Sequence, residues 1–135
     1  MSQTASAAPI DGVVTFADGL PGFERCRQFV LVSSPALQPF TVLQGVDADA
    51  PAFVTIDPRL VTDTFAPALD RVTLARLGAQ GGETLLWLAI VTAGDDGVAT
   101  ANLRAPLVIN PASMRGIQLI SLDSPYRIDH PMQAA

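Results

Sequence analysis

The sequence predicts a mainly β protein: a small antiparallel β-barrel-like or sandwich domain with one short helix near residues 70–77. Three observations carry that reading. Short runs rich in β-branched and aromatic residues recur along the chain, punctuated by Pro, Gly, Asp and Asn. The most apolar run, Leu85–Val91, does not alternate, as expected of a strand covered on both faces. Only the stretch Asp70–Gly78 changes period, opening on a good N-cap residue and closing on glycine.

Taken in order, residues 1–10 are Ala/Ser-rich and read as a flexible N-terminal tail, leaving 11–135 as a single domain. Val13–Phe16 is a strand that runs into the turn residues Asp18-Gly19 and Leu20-Pro21-Gly22. Gln28–Val32 is a second strand, Phe40–Val46 a third and Ala52–Ile56 a fourth, closed by Asp57-Pro58 because Pro removes a ladder donor. Phe65–Leu69 reads as a short strand confined to an edge by Pro67. In the helix, Val72, Ala75 and Leu77 are expected to face inward while Arg71 and Arg76 stay wet. Glu83–Ala93 then forms the central strand, with Trp87 in the core. Val98–Leu103, Leu107–Ile109 and Gly116–Leu122 complete a series of about eight strands.

Composition excludes several functions. The longest apolar run is far shorter than the roughly 20 residues of a membrane-spanning helix. No basic segment precedes an apolar one near the N-terminus, so no signal peptide is expected. A lone cysteine, Cys26, fits a reducing cytoplasm. All eight basic residues are Arg, the acids number thirteen, and the net charge is −5. That inventory disfavours direct nucleic-acid binding, which needs a broad basic face. It suits a partner with a basic surface.

Candidate chemistry is sparse. Cys26 lies between Arg25 and Arg27, which favour a thiolate, but the only base is His130, and nothing in the spacing brings the two together. One His and one Cys cannot build a structural zinc site. Asp47, Asp49 and Asp57 lack the spacing of a calcium loop and read as turn formers. Gly78–Gly82 leads into a strand and has no Lys, unlike a phosphate cradle. No catalytic residue, cofactor or metal is expected. The polar residues in or beside strands, Gln44, Asn102, Asn110 and Gln118, either satisfy nearby backbone or serve as handles for a protein contact.

Specific words in the chain go further. Asp18-Gly19-Leu20-Pro21-Gly22-Phe23-Glu24, then Phe40-Thr41-Val42-Leu43-Gln44, then Ala52-Phe53-Val54-Thr55-Ile56-Asp57-Pro58, resemble the flagellar assembly factor FliW family in order and spacing. The strongest match is Thr100–Asn110, with Gln118 and Tyr126-Arg127…His130-Pro131 behind it. The resemblance implies a cytoplasmic β-barrel-like protein with two alternative partners, flagellin and CsrA, a dimeric translational repressor of the flagellin messenger. The partner-binding residues expected from it are Gln44, Asp57, Asn102, Arg104 and Asn110, with Phe23, Phe53 or Leu103 as apolar anchors if exposed. Family members commonly begin with a further strand where this chain has Ser2–Pro9. Its loss would leave a sheet edge open, so that a molecule expected to be monomeric could also dimerise through that edge. Arg104 stands where the family often has Lys, a change of hydrogen-bond geometry at constant charge. The alternative is a small-molecule-binding barrel, possibly enzymatic, recognised by a sizeable interior cavity holding Cys26 or His130.

Overall fold

The computed structural model describes residues 11–80, 84–120 and 124–132. The expected N-terminal tail, residues 1–10, lies outside them. Nine strands form: β1 Val14–Phe16, β2 Gln28–Val32, β3 Phe40–Gly45, β4 Ala52–Ile56, β5 Leu86–Ala93, β6 Ala99–Ala101, β7 Leu107–Asn110, β8 Arg115–Gln118 and β9 His130–Pro131. The helix α1 spans Arg71–Arg76, and a single 3-10 turn covers Pro58–Leu60.

The sheet closes on itself. Neighbours run β4-β3-β2-β1-β8-β7-β5, and β4 pairs with β5, so seven strands make a ring. The seven strands of the ring all lie within the described residues, whereas the segment Ser2–Pro9, where a strand was expected to be missing, lies outside them. Strands β6 and β9 extend from the outer half of β5 as a side flap. Every pair is antiparallel except β1 and β8, which run parallel with Thr15 opposite Arg115 and Phe16 opposite Gly116. The barrel is antiparallel as expected apart from this seam, which has a topological reason. Strands in a ring cannot alternate direction all the way round when their number is odd.

Closure explains why the β5 sequence fails to alternate. Leu88 faces the ring interior, with Leu86 and Ile90 packed against the same cluster, beside Val14, Phe16, Phe29, Leu31, Leu43, Leu107 and Ile109. Trp87 and Ala89 face outward yet are equally covered. Trp87 sits with Phe65, Leu77 and Val108, and Ala89 with Ile56, Ala101 and Leu103. Both faces of the strand are therefore apolar, as the run requires.

Three local expectations are corrected. Phe65–Leu69 forms no strand. A side chain takes the place of a strand partner here: the Tyr126 hydroxyl accepts from Ala66 N–H at 2.9 Å and donates to O of the preceding Thr64 at 3.1 Å. The rings of Phe65 and Tyr126 lie tilted against each other, centroids 5.3 Å apart. Second, Val72 is 68% exposed and Ala75 is exposed, whereas Leu77 is fully buried. The half-buried Leu74 and buried Leu77 form the inward edge, and Val72 lies about 200° of helical rotation from Leu74. Third, His130–Pro131 is a strand that a proline-containing dipeptide did not announce; Ala101 and Thr100 pair with it. Residues 121 and 122 of the expected last strand lie outside the described residues.

The helix itself ends as its sequence predicts. Asp70 caps it by accepting from Thr73 N–H at 2.8 Å. At the other end Ala79 N–H reaches Leu74 O and Gly78 N–H reaches Ala75 O, a Schellman closure. The bond from the Thr73 backbone, with help from the Thr73 side chain, holds the Asp70 carboxyl below its ordinary range. A depressed folded-state pKa stabilises the native protein above the unfolded value and loses that contribution as pH falls through the folded one. Thermal melts of wild type and Asp70→Asn should therefore differ at pH 6, begin to converge as pH drops below about 4, and meet only below the depressed folded-state value. A gap that stays constant down to pH 3 would show that the charge of the cap does nothing.

Candidate protein-docking surface

The strand registers separate the five expected contact residues. Gln44 of β3 pairs with Ala52 at the start of β4. Asp57 follows Ile56, which pairs with Ala89 and packs in one cluster with Leu103, so it lies on the side of the Asn102–Arg104 turn. Asn110 closes β7 beside the turn into β8. The five residues do not form one patch.

Asp57 and Asn110 are already occupied within the fold. Asp57 caps the 3-10 turn, accepting from Arg59 N–H at 2.9 Å. Asn110 is fully buried. Its amide donates to Leu77 O at 2.9 Å and accepts from Ala112 N–H at 3.0 Å, tying α1 to the β7–β8 turn. A side chain with no exposed surface cannot touch a partner, so the expectation for Asn110 as a contact is corrected: it is a structural bracket. Asn110→Ala should lower stability by roughly 2–3 kcal/mol, because the Ala112 N–H loses its acceptor and a buried space opens. Equilibrium urea unfolding measures this. A change below about 0.5 kcal/mol would mean the bracket is dispensable.

The Asn102–Arg104 turn and Gln44 keep part of their surface exposed. Asn102 accepts from both Arg104 N–H and Ala105 N–H, shaping the turn into β7, and Arg104 N–H also reaches Arg127 O. Leu103 between them is fully buried and is not an apolar anchor. Gln44 is half-buried on the outer sheet face, its amide donating to Gly45 O at 3.1 Å. Its cross-strand neighbours are Val30 and Ala52. One rung away lies a row of Val32, Val42 and Val54, in which Val32 and Val54 are each 43% exposed. Gln44 thus sits within an apolar outer face.

Phe23 and Phe53 divide the roles expected of them. Phe53 packs against the ring interior. Phe23, at 44% exposure, caps it edge-on with ring centroids 5.4 Å apart. The loop that carries Phe23 turns at Leu20–Phe23, which form an isolated bridge. Gly19 allows that turn: its φ is +64°, and a Cβ there would lie 2.7 Å from the Glu24 backbone. Facing Phe23 is the loop of residues 46–51, and between the two loops runs a cleft of about 440 Å³ bordered by Phe23, Arg25, Asp47, Asp49 and Ala50. Exposed Val46 flanks it. With Glu24 the cleft carries three carboxylates against one guanidinium, so the apolar spot has an acidic rim. The Glu24 carboxyl is held below its usual range by backbone N–H groups, its own and that of Gly22. Of Phe23, Phe53 and Leu103, expected as apolar anchors if exposed, Phe23 is the exposed one. Its signal in the sequence is an aromatic residue placed directly after a Pro-Gly turn and before the charged pair Glu24-Arg25.

Nucleophilic chemistry does not assemble. Cys26 is buried in the ring cluster, and burial together with the Asp47 charge pushes its thiol pKa up. That is the opposite of activation. His130 belongs to the side flap, paired with Ala101. Among the described residues no group of three His, Cys, Asp or Glu side chains is placed to hold a metal ion. No helix among them is long and apolar enough to cross a membrane.

These features define a class: a small seven-stranded β-barrel whose interior is packed with side chains and whose loops at one end present an aromatic residue within an acidic rim. Residues 3–132 match the family model described as FliW protein, and the chain belongs to that family. The match includes the Ser2–Pro9 segment from residue 3 onward, where a departure from the family was expected. Similar proteins include the flagellar assembly factor FliW of Thermotoga maritima, 32% identical over 122 residues, spanning 89% of this chain and 82% of that one. That of Anoxybacillus flavithermus is 37% identical over 119 residues, spanning 87% and 81%. A crystal structure of the flagellar assembly factor FliW superposes with a TM-score of 0.80 at 37% identity, covering 88% of this chain and 84% of that one.

Proposed function

We propose that this chain is a cytoplasmic flagellar assembly factor that works by docking and not by catalysis, binding flagellin and, alternately, the translational repressor CsrA. The observation that carries this reading is the family match across nearly the whole chain. The packed ring interior supports a binding role for the exterior, since a ligand-binding barrel would keep that volume open. An exposed aromatic with apolar neighbours supplies the desolvated anchor that protein interfaces use. Its acidic rim, on a chain of net charge −5, suits a partner whose own surface is basic.

In this reading the factor binds CsrA at a surface away from the one that reads RNA and relieves repression of the flagellin messenger. Its negative charge adds repulsion toward phosphates without covering every base-reading residue. Unsecreted flagellin then withdraws the factor by mass action and shuts down its own synthesis. The test is a three-component titration with purified flagellin, CsrA and the flagellin leader RNA. Adding the factor should release RNA from CsrA, less so at high salt, and adding flagellin should restore RNA binding. Release that flagellin does not reverse would break the switch, and release that is indifferent to salt would remove the electrostatic part.

A further inference from the structure

The β1–β8 seam ends early. Pairing stops at Phe16 opposite Gly116, after which the chain from β1 turns away through Asp18 and Gly19. On β8 and the residue after it, Leu119 N–H donates to Pro106 O at 2.8 Å, toward β7. Main-chain groups alternate sides along a strand, so those of Gln118 and Ile120 face the other edge. Among the described residues no strand pairs with that edge beyond Gly116.

The edge lies in a groove and not on an open face. Residues 116–120 line it together with Asp18 and Glu24 of the loop after β1 and Thr73 and Arg76 of α1, around about 350 Å³. The Arg76–Asp18 ion pair joins the two sides, so a strand laid along the edge must open it. It continues past Leu119 and Ile120 toward Leu69 and Asp70, with about 390 Å³ more. Natural edges are blunted by Lys, Pro, bulges or inward charges. Gln118-Leu119-Ile120 has no charge and no Pro, and Ile120 is 64% exposed. The Gln118 Oε1 is buried without a hydrogen-bond partner, while its amide nitrogen is spent on Ala105 O. Buried acceptors are seldom left so. The walls carry three carboxylates, Asp18, Glu24 and Asp70, against the single guanidinium of Arg76, which is already paired with Asp18.

From this arrangement we infer that the groove beside β8 takes an extended, Lys- or Arg-bearing segment of another polypeptide, which adds as a strand to the Gln118–Ile120 edge. Main-chain pairing supplies the affinity and the carboxylate walls select the charge. The inference does not depend on which partner the family match suggests, and the groove is separate from the Phe23 cleft except where Glu24 borders both.

The probe is an eight-residue peptide alternating Val and Lys, titrated into the full chain while amide exchange is followed residue by residue. Binding should protect the Gln118 and Ile120 amides. N-methylation of alternate peptide nitrogens should weaken binding roughly tenfold, by removing about one or two hydrogen bonds. A peptide with Glu in place of Lys should bind several-fold more weakly, and Glu24→Gln should shrink that preference. No binding of the Lys peptide up to millimolar concentration would overturn the inference, as would equal binding of the N-methylated peptide or a preference for the Glu peptide. Concentration-dependent protection of the same amides without peptide would also overturn it, since the occupant would then be a second copy of the chain.

Discussion

Phe23→Ala is expected to weaken binding to flagellin or CsrA by roughly 30-fold or more while leaving the barrel folded. The first part follows from position. Phe23 is an exposed large side chain at the rim of an acid-bordered cleft, and residues of that kind carry about 2 kcal/mol or more when they seat in a partner. The second follows from its modest share in the core. It meets Phe53 edge-on, a contact worth roughly 0.5–1.5 kcal/mol beyond area, while the ring interior is filled by other residues. The melting temperature should fall by only a few degrees, at roughly 4 °C per kcal/mol for a chain this size. Calorimetric titration of both partners against the variant decides the matter. Unchanged affinity for both would move the docking surface elsewhere, with the outer face around Gln44 the next place to look.

The largest effect on stability is expected at Gly116. It lies on β8 opposite Phe16 of β1, and a Cβ built there would stand 2.6–2.9 Å from three atoms of the Phe16 ring. That ring cannot withdraw, being 1% exposed and held edge-on against Phe29 at a 5.6 Å centroid distance. Gly116→Ala should therefore cost about 3 kcal/mol, at the upper end of the usual overpacking range. The cause can be isolated with a double-mutant cycle. In a Phe16→Leu background the same Ala substitution should cost at least about 1 kcal/mol less, since neighbours in contact are not additive. Strict additivity would mean that the penalty arises from the backbone and not from the ring. The seam matters beyond stability, because it is the parallel pair that closes the barrel and positions the groove beyond it.

What could be read in the chain follows the range of the forces involved. Gln28–Val32 and Ala52–Ile56 were set by residues within each strand and by the turns flanking them, and they form where expected. The caps of α1 are equally local, because Asp70 and Gly78 act within one turn of the helix. The parallel β1–β8 pair is different. It joins residues a hundred positions apart, and only ring closure with an odd strand number demands it. Phe65–Leu69 had the composition of an edge strand, but a distant tyrosine hydroxyl took the place of a strand partner. The contact residues divide in the same way. Asn110 looked like any polar residue beside a Pro turn, and its burial depends on Leu77 arriving from another element. Phe23 and Phe53 are alike as residue types, and only the fold puts one outside and the other in.

Everything proposed for function rests on the loop end of the barrel meeting another polypeptide. Hydrogen–deuterium exchange of the whole chain, with and without saturating flagellin, tests this most directly. Slowed exchange is expected in residues 19–26 and 46–51, with little change around Asn110 and the β7–β8 turn that it brackets. No protection anywhere, or protection confined to that turn, would contradict the account.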